Sequence, residues 1–182
     1  MNITPREIID FWFSDRIKEQ WFSSTPELDK EIAEKYEELW NKATLNELEE
    51  WSITPAGSLA LVIILDQFPL NMFRNQAKSF SSEKMALTIS RKAINNKQDK
   101  EVEKEKLPFL YMPFMHSEDI DDQNRSVKLY SEADLGENVE FAKHHRDIVK
   151  KYGRFPHRNT ILSRDSSEEE LIYLASDHAY MG

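Results

Sequence analysis

Apolar residues recur along most of this chain at the three- and four-residue spacing that places them on one face of an α-helix. One clear series comprises Ile32, Tyr36, Leu39, Trp40 and Ala43. The stretch from Ser58 to Gln67 is instead apolar almost all round, which predicts a helix at the centre of the core. The β-branched content of residues 61–65 also admits a strand, but the length of the segment and the start signal before it favour a helix.

Helix starts are marked by a Thr-Pro pair at three places, beginning at Thr4, Thr25 and Thr54. A threonine caps the first free N–H groups of a helix, and a proline fits the first helical position because it has no N–H to leave unbonded. Thr4 and Glu7 also have the spacing of a capping box. These signals predict helices that begin at each of the three prolines.

Other start and stop signals lie in the second half of the chain. Gly153 predicts the end of a helix that begins near Gly136, since glycine adopts the left-handed conformation of a C-cap. Pro113 predicts a break or kink just before His116. The last helix is capped either by Ser166 with Glu169 or by Ser167 with Glu170.

The elements predicted in this way number roughly eight or nine helices, with no alternation of strands and helices. Only four glycines and seven prolines are present, too few for the many tight turns of an all-β fold. We therefore expect an all-α protein of antiparallel helix pairs around a polar cleft, forming a single domain over residues 1–182. No fixed-period repeat is visible.

The chain contains no cysteine. Disulfides, thiol catalysis and cysteine-ligated metal sites are therefore excluded, which fits a reducing compartment. Pro5, Arg6 and Glu7 precede any apolar run, unlike a secretory signal, and the longest apolar run, residues 59–65, is too short to cross a bilayer. We expect a soluble cytoplasmic protein that does not bind membranes. The sequence predicts no oligomeric state.

The net charge of −9 argues against nucleic acid as a partner. The charge is uneven, however, because the segment from Lys143 to Arg164 contains seven Lys or Arg residues and a single acid, Asp147. This basic strip fits a local anion-binding surface, which admits even an anionic polymer, although the global charge opposes that. It also fits a helix C-terminus whose cations suit the helix dipole.

Asp66 follows five strongly apolar residues, so its carboxylate is predicted to lie near the core and to need a partner. Arg74, Arg154 and Arg158 are the candidate partners, because a guanidinium can give a carboxylate two hydrogen bonds. Two interpretations follow. Asp66 is either half of a structural ion pair or a general base.

His116 and Glu118 follow the predicted helix break, where a loop can present polar groups to a cleft. His116 suits proton transfer, because histidine titrates near neutral pH. Glu118 has a plainer alternative as an acid in the first turn of the next helix. His144 and His145 are adjacent, so only one can face the core, and the apolar neighbours favour His145, most simply as a hydrogen-bonded core histidine.

The segment from Gly153 to Asn159 is the densest polar cluster of the chain. Arg154, His157 and Arg158 are the residue types that hold a carboxylate or phosphate, and Asn159 can bind a ligand or cap a helix. Alternatively, the arginines and Asn159 satisfy open helix carbonyls. No HExxH or His-x-His spacing, glycine-rich phosphate loop or GxSxG motif is present, so we expect no metal and no cofactor.

Several runs of the chain resemble a bacterial family catalogued as domain of unknown function 924. The resemblance follows the chain in order through Ile9–Phe13, Leu65–Arg74, Tyr111–Glu118, His145–Val149 and Gly153–Asn159. It implies an all-helical fold similar to tetratricopeptide-repeat proteins and no established activity. The chain has Leu70 where the family usually has arginine, and Ser163 where it usually has glycine.

Two hypotheses for function follow. In the first, a cleft binds or transforms a small anionic metabolite. Its catalytic residues are Asp66, His116, Glu118 and His157, and its ligand-binding residues are Arg74, His145, Arg154, Arg158 and Asn159. In the second, the chain is a scaffold for a protein or peptide partner, and the same residues are internal struts. The sequence does not decide whether the chain is an enzyme.

Overall fold

The computed structural model describes residues 3–180, and every regular element in that range is helical. Nine α-helices lie there: α1 Pro5–Trp12, α2 Asp15–Lys18, α3 Pro26–Thr44, α4 Pro55–Met72, α5 Glu83–Asn95, α6 Leu107–His116, α7 Ile120–Glu132, α8 Glu137–Tyr152 and α9 Glu168–Leu174. Short 3-10 turns lie between some of them: Glu49–Ile53, Ala77–Phe80, Gln98–Lys100 and Pro156–Arg158. The all-α prediction is confirmed.

The predicted helix starts are confirmed at all three Thr-Pro pairs. The side chains of Thr4, Thr25 and Thr54 each accept a hydrogen bond from the backbone N–H three residues later. Thr4 also forms the complete capping box with Glu7. Each cap satisfies a donor that the helix itself leaves open, so these starts are set locally by the sequence.

The described part of the chain divides into two compact units. The first comprises residues 3–74 and 78–113, and the second comprises residues 75–77 and 114–180. A single domain over the whole chain stays a prediction. Seven of the nine predicted site residues belong to the second unit, and Asp66 and Arg74 belong to the first.

Helix α4 forms the core of the first unit. Residues 59–65 are buried and helical, which confirms the prediction of a central helix rather than a strand. Pro55–Met72 is long and apolar enough to span a membrane by length and composition, but 78% of it is buried inside the fold. Contact with the surrounding helices therefore accounts for its apolar character.

A π-helical turn, Ile63–Gln67, interrupts α4 just before Pro69. Pro69 has no N–H to donate to the preceding turn, and the carbonyl of Leu65, four residues earlier, accepts from Ser82 Oγ at 2.6 Å. Trp40 Nε1 in turn donates to Ser82 Oγ at 3.0 Å. Ser82, the N-cap residue of α5, thus replaces a backbone donor that the proline removed.

Helix α6 continues through Pro113 and ends at His116. Of the predicted break or kink at Pro113, the break is therefore wrong, and the kink stays a prediction. A proline removes one donor and crowds one carbonyl, and an otherwise apolar, buried helix can keep its remaining hydrogen bonds.

Helix α8 ends as predicted at Gly153, which has φ 70° and donates its N–H to the carbonyl of Val149. The chain then makes a 3-10 turn, Pro156–Arg158, before α9 begins. Ser167 and Glu170 form the capping box of α9, the second of the two predicted alternatives. This path brings the end of α8, the loop and the start of α9 together in the second unit.

Candidate functional site

Arg154 and Glu170 form a two-bond ion pair that ties the loop after α8 to the first turn of α9. Arg154 donates from Nε to Oε1 at 2.7 Å and from Nη2 to Oε2 at 2.8 Å, and Nη2 also donates to the carbonyl of Asp165. Glu170 is only 3% exposed. The Arg154 hydrogen bonds, with a further bond from the N–H of Ser167, lower the pKa of Glu170 to about 2.

Glu118 and Arg164 form a second ion pair of the same kind. Arg164 donates from Nη1 to Oε2 at 2.6 Å and from Nη2 to Oε1 at 2.9 Å, while the N–H of Phe155 donates to Oε1 at 2.7 Å. Burial raises the pKa of Glu118, but the hydrogen bonds from Arg164 and Phe155 outweigh it, so the net shift is downward. Glu118 is thus held as a carboxylate.

Asn159 joins the two ion pairs. Its Oδ1 accepts from Arg164 Nε at 3.0 Å, and its Nδ2 donates to Ser166 Oγ at 3.0 Å and to Glu170 Oε2 at 3.3 Å. The side chain is 1% exposed, and the amide uses both of its ends. Asn159, proposed from the sequence as a ligand or cap residue, is in the structure the connection between Arg164 and Glu170.

The backbone around Ser163 places Arg164. The N–H of Arg164 donates to the carbonyl of Asn159 at 2.8 Å, and the N–H of Ser163 donates to that of Thr160 at 3.2 Å. This is the Schellman pattern, and Ser163 adopts the left-handed φ of 54° that it requires. Arg164 entered the sequence prediction only as part of the basic strip. The sequence signal for this role of Arg164 was the residue directly before it, Ser163, which stands where the family usually has glycine.

His145 lies on the inner face of α8, as predicted, and His144 is exposed. The carbonyl of Phe141 lies 2.8 Å from His145 Nδ1 and accepts its hydrogen, so Nε2 carries the lone pair. Burial lowers the pKa of His145 to about 3 although the Phe141 hydrogen bond opposes the shift, and the neighbouring His116, His144 and His157 lower it further. His145 is therefore neutral at pH 7.

Four rings pack together beside this histidine, and we call them the histidine cluster: His145, Phe155, His157 and Tyr180. The Tyr180 ring centroid lies 4.4 Å from that of His145 and 5.0 Å from that of His157. The Phe155 centroid lies 5.6 Å from His145 and 5.7 Å from His157. Burial, and then the charge of Arg158, lower the pKa of His157 to about 4, so this ring is also neutral at pH 7.

Arg158 brings a positive charge to the histidine cluster. It is only 6% exposed, and its guanidinium carbon lies 4.8 Å from the centroid of the Phe155 ring. Its charge lowers the pKa of His157 and contributes to the low pKa of Glu118. His116 is half-buried and electrostatically close to His145 and His157, since it lowers the pKa of both.

Arg74, one of the two predicted residues in the first unit, binds Asp29. Arg74 donates from Nε to Oδ2 at 2.6 Å and from Nη2 to Oδ1 at 3.0 Å. Asn71 and Ser24 also donate to Asp29. Burial raises the pKa of Asp29, but these hydrogen bonds outweigh it and the pKa falls. The segment after Phe68 and Pro69 thus forms an ion pair with the first turn of α3.

Asp66, the other predicted residue in the first unit, is fully buried in the π-helical turn of α4. It accepts a hydrogen bond from Gln67 Nε2, whose other neighbour is the sulfur of Met112. Its predicted burial is thus observed. Within residues 3–180, no three His, Asp or Glu side chains are grouped so that they could hold a metal ion.

Comparison with known proteins agrees with this fold and supplies no activity. A family model described as a bacterial protein of unknown function (DUF924) matches residues 8–178. A solved structure of a protein of unknown function from Agrobacterium tumefaciens is similar to this chain, with a TM-score of 0.89 and 36% sequence identity over 94% of this chain and 96% of that one. No curated protein matches the chain.

Proposed function

The chain belongs to the DUF924 family of bacterial proteins of unknown function, and we propose that in this member the second unit binds a small anionic metabolite at Arg158, His145 and His157. The observation that carries the proposal is a buried guanidinium whose charge acts on His157, in a ring cluster that also holds His145, with both imidazoles neutral at pH 7. A cation in a partly desolvated place attracts an anion more strongly than one in water. Neutral imidazoles add hydrogen bonds without adding charge.

The arginines of the loop divide into two groups in this proposal. Arg154 and Arg164 each bind a carboxylate with two hydrogen bonds, so they hold the loop in place. Arg158 contacts the aromatic face of Phe155 and brings its charge to the histidine cluster. We assign anion recognition to Arg158 because it is buried and its charge acts on His157, and the two ion pairs hold the loop that carries it.

The pKa values of the cluster favour binding over proton transfer. An efficient general base has a pKa near the working pH, and imidazoles with pKa values of about 3 and about 4 are weak bases at pH 7. Glu118 is held as a carboxylate by Arg164, which also makes it a weak base. Catalytic roles for Asp66, His116, Glu118 and His157 stay predictions.

A protein- or peptide-binding scaffold is the second candidate, and the ion pairs support it. Arg74, Arg154 and Arg164 all bind carboxylates within the fold, as struts would. Helix α9 also exposes Leu171 and Ile172, which are 56% and 66% accessible. In this alternative, the helices are arranged as in tetratricopeptide-repeat proteins. Under both candidate functions we place the protein in the cytoplasm, which is consistent with the absence of cysteine.

A thermal-shift screen with inorganic phosphate, acetate, malonate and citrate tests the proposed site. A ligand at one hundred times its Kd stabilises the folded state by about 2.7 kcal/mol and raises Tm by roughly 5–10 °C. We expect Arg158→Gln to abolish the shift, and the exposed Lys150→Gln on α8 to keep it. The change in Tm on adding anion is compared within each variant, so a lower starting stability does not affect the result.

Two results would count against the anion site. An equal shift in wild type and Arg158→Gln would place binding elsewhere. No shift with any anion, for wild type as well as variant, would favour the scaffold.

A further inference from the structure

The chain after α9 turns back onto the histidine cluster. Residues 175–178 are exposed, and the chain becomes partly buried again at Ala179 and Tyr180. The Tyr180 ring then packs edge-on against His145 and His157, at 4.4 and 5.0 Å between centroids. It also lies 6.3 Å from the ring of His144. One side chain therefore contacts three histidines at the end of an exposed turn.

Local hydrogen bonds shape this turn. Ser176 N–H donates to the carbonyl of Tyr173, and Ala179 N–H donates to that of Ser176. Tyr180 N–H donates to the hydroxyl of Tyr173 at 2.8 Å. Exposed segments with local hydrogen bonds open at a lower free energy than the core of a domain. Local opening of this segment should therefore require less free energy than unfolding of α8.

Removing the ring would uncover polar groups. His145 Nδ1 is already engaged by Phe141, so Nε2 is its remaining hydrogen-bonding atom. Phe155 is 1% exposed and His145 is 4% exposed, and the Tyr180 ring is part of the layer over His145. A flat aromatic ring is thus already accommodated between the two imidazoles.

We propose that residues 175–180 form a strap whose Tyr180 ring covers the histidine cluster, and that the ligand admitted when the strap opens is a small aromatic anion. The proposal rests on the anion site proposed above. The ring of the ligand takes the place of the Tyr180 ring between His145 and His157, where edge-to-face contacts are favourable. Its carboxylate or phosphate group pairs with Arg158. Closure by the strap competes with the ligand. The apparent affinity is the affinity of the open form multiplied by the fraction of molecules in which the strap is open.

The strap is tested first without any ligand. Diethyl pyrocarbonate modifies accessible neutral imidazoles, and mass spectrometry resolves the rate at each histidine. We expect slow modification of His145 and His157 in the wild type, and at least a fivefold rise in Tyr180→Ala. Tyr180→Phe keeps the ring and is expected to keep the protection. N-acetylhistidine added to each sample is the reference for reagent activity, because Tyr180 also contacts His144.

A second variant distinguishes opening of the strap from a general loss of structure in Tyr180→Ala. Tyr173→Phe removes the hydroxyl that accepts from Tyr180 N–H and keeps the partly buried ring of Tyr173, so we expect an intermediate rise in modification of His157. Equal rates in wild type, Tyr180→Ala and Tyr173→Phe would overturn the strap.

Calorimetric titration then tests the class of ligand, with phenyl phosphate against inorganic phosphate as the matched pair. We expect phenyl phosphate to bind Tyr180→Ala at least fivefold more tightly than the wild type. Equal affinity for the two proteins would overturn the competition, and equal affinity for the two phosphates would overturn the aromatic class. If modification of His145 and His157 rises in Tyr180→Ala but neither phosphate binds this variant, the strap is supported and the anion site is overturned.

Discussion

Arg164 binds Glu118 through two hydrogen bonds, of 2.6 Å from Nη1 and 2.9 Å from Nη2, across 46 residues of sequence. Both side chains are partly buried, at 23% and 27% exposure, so water screens their attraction less than that of a surface pair. The pair also orients the loop, because Arg164 donates to Asn159 and Glu118 accepts from the N–H of Phe155. It therefore supports the residues on either side of Arg158.

Replacement of Arg164 should destabilise the protein substantially. Arg164→Ala leaves the Glu118 carboxylate partly buried without its cation, and we expect the free energy of unfolding in urea to fall by about 2–3 kcal/mol. The control is Arg146→Ala, whose pair with the exposed Asp147 should contribute less than about 0.5 kcal/mol. In a double-mutant cycle, additive effects of Glu118→Gln and Arg164→Ala would show that the pair contributes nothing.

Ser163→Gly should stabilise the protein. Ser163 has φ 54°, a conformation that costs a residue with a Cβ about 1 kcal/mol and costs glycine almost nothing. Part of the gain is lost to the larger unfolded-state entropy of glycine, so we expect a net increase of about 0.5 kcal/mol in the free energy of unfolding. Ser163→Ala is the comparison and should not stabilise. A more stable alanine variant would show that the backbone is not strained at this position.

Ser82→Ala should destabilise the core of the first unit. The change leaves the Leu65 carbonyl and Trp40 Nε1 buried without the hydroxyl that serves both, and we expect a loss of about 1–3 kcal/mol in urea unfolding. The neighbouring Ser81 is exposed and donates to the carbonyl of Lys78, so Ser81→Ala is the matched control. Similar small effects at both serines would mean that the Pro69 turn does not depend on Ser82.

The two neutral histidines should make stability fall between pH 6.5 and pH 5. Their pKa values are lowered to about 3 and about 4 in the folded state, so below pH 6.5 the unfolded chain binds protons that the folded chain does not. Each histidine then costs about 1.4 kcal/mol per pH unit, or about 2 kcal/mol down to pH 5. The contribution is present above pH 6.5 and is lost as the pH falls.

The variant for this effect is His145→Asn, which keeps a donor for the Phe141 carbonyl but does not titrate. We expect its free energy of unfolding to fall by about 2 kcal/mol less than that of the wild type between pH 6.5 and pH 5. An identical pH dependence in the two proteins would show that His145 is protonated as easily in the folded state as in the unfolded one. The carboxylates with lowered pKa values titrate below this window.

The sequence by itself determined the helices and their ends, because the forces that set them act within about one helical turn. The threonine caps at positions 4, 25 and 54 and the glycine stop at 153 depend on neighbouring residues only. The burial of His145 rather than His144 follows from the same short-range periodicity. Pro113 is an exception, because the local signal for a helix end did not end α6 there.

Only the tertiary structure decided which charges meet. A guanidinium binds any carboxylate in reach, and the sequence does not contain the distances. Arg74 binds Asp29 and Arg164 binds Glu118, at separations of 45 and 46 residues, and Arg154 binds Glu170 at a separation of 16. The contact of Tyr180 with His145 has the same origin. Long-range partners depend on how helix ends and loops come together in the fold, whereas helices and caps depend on the local chain.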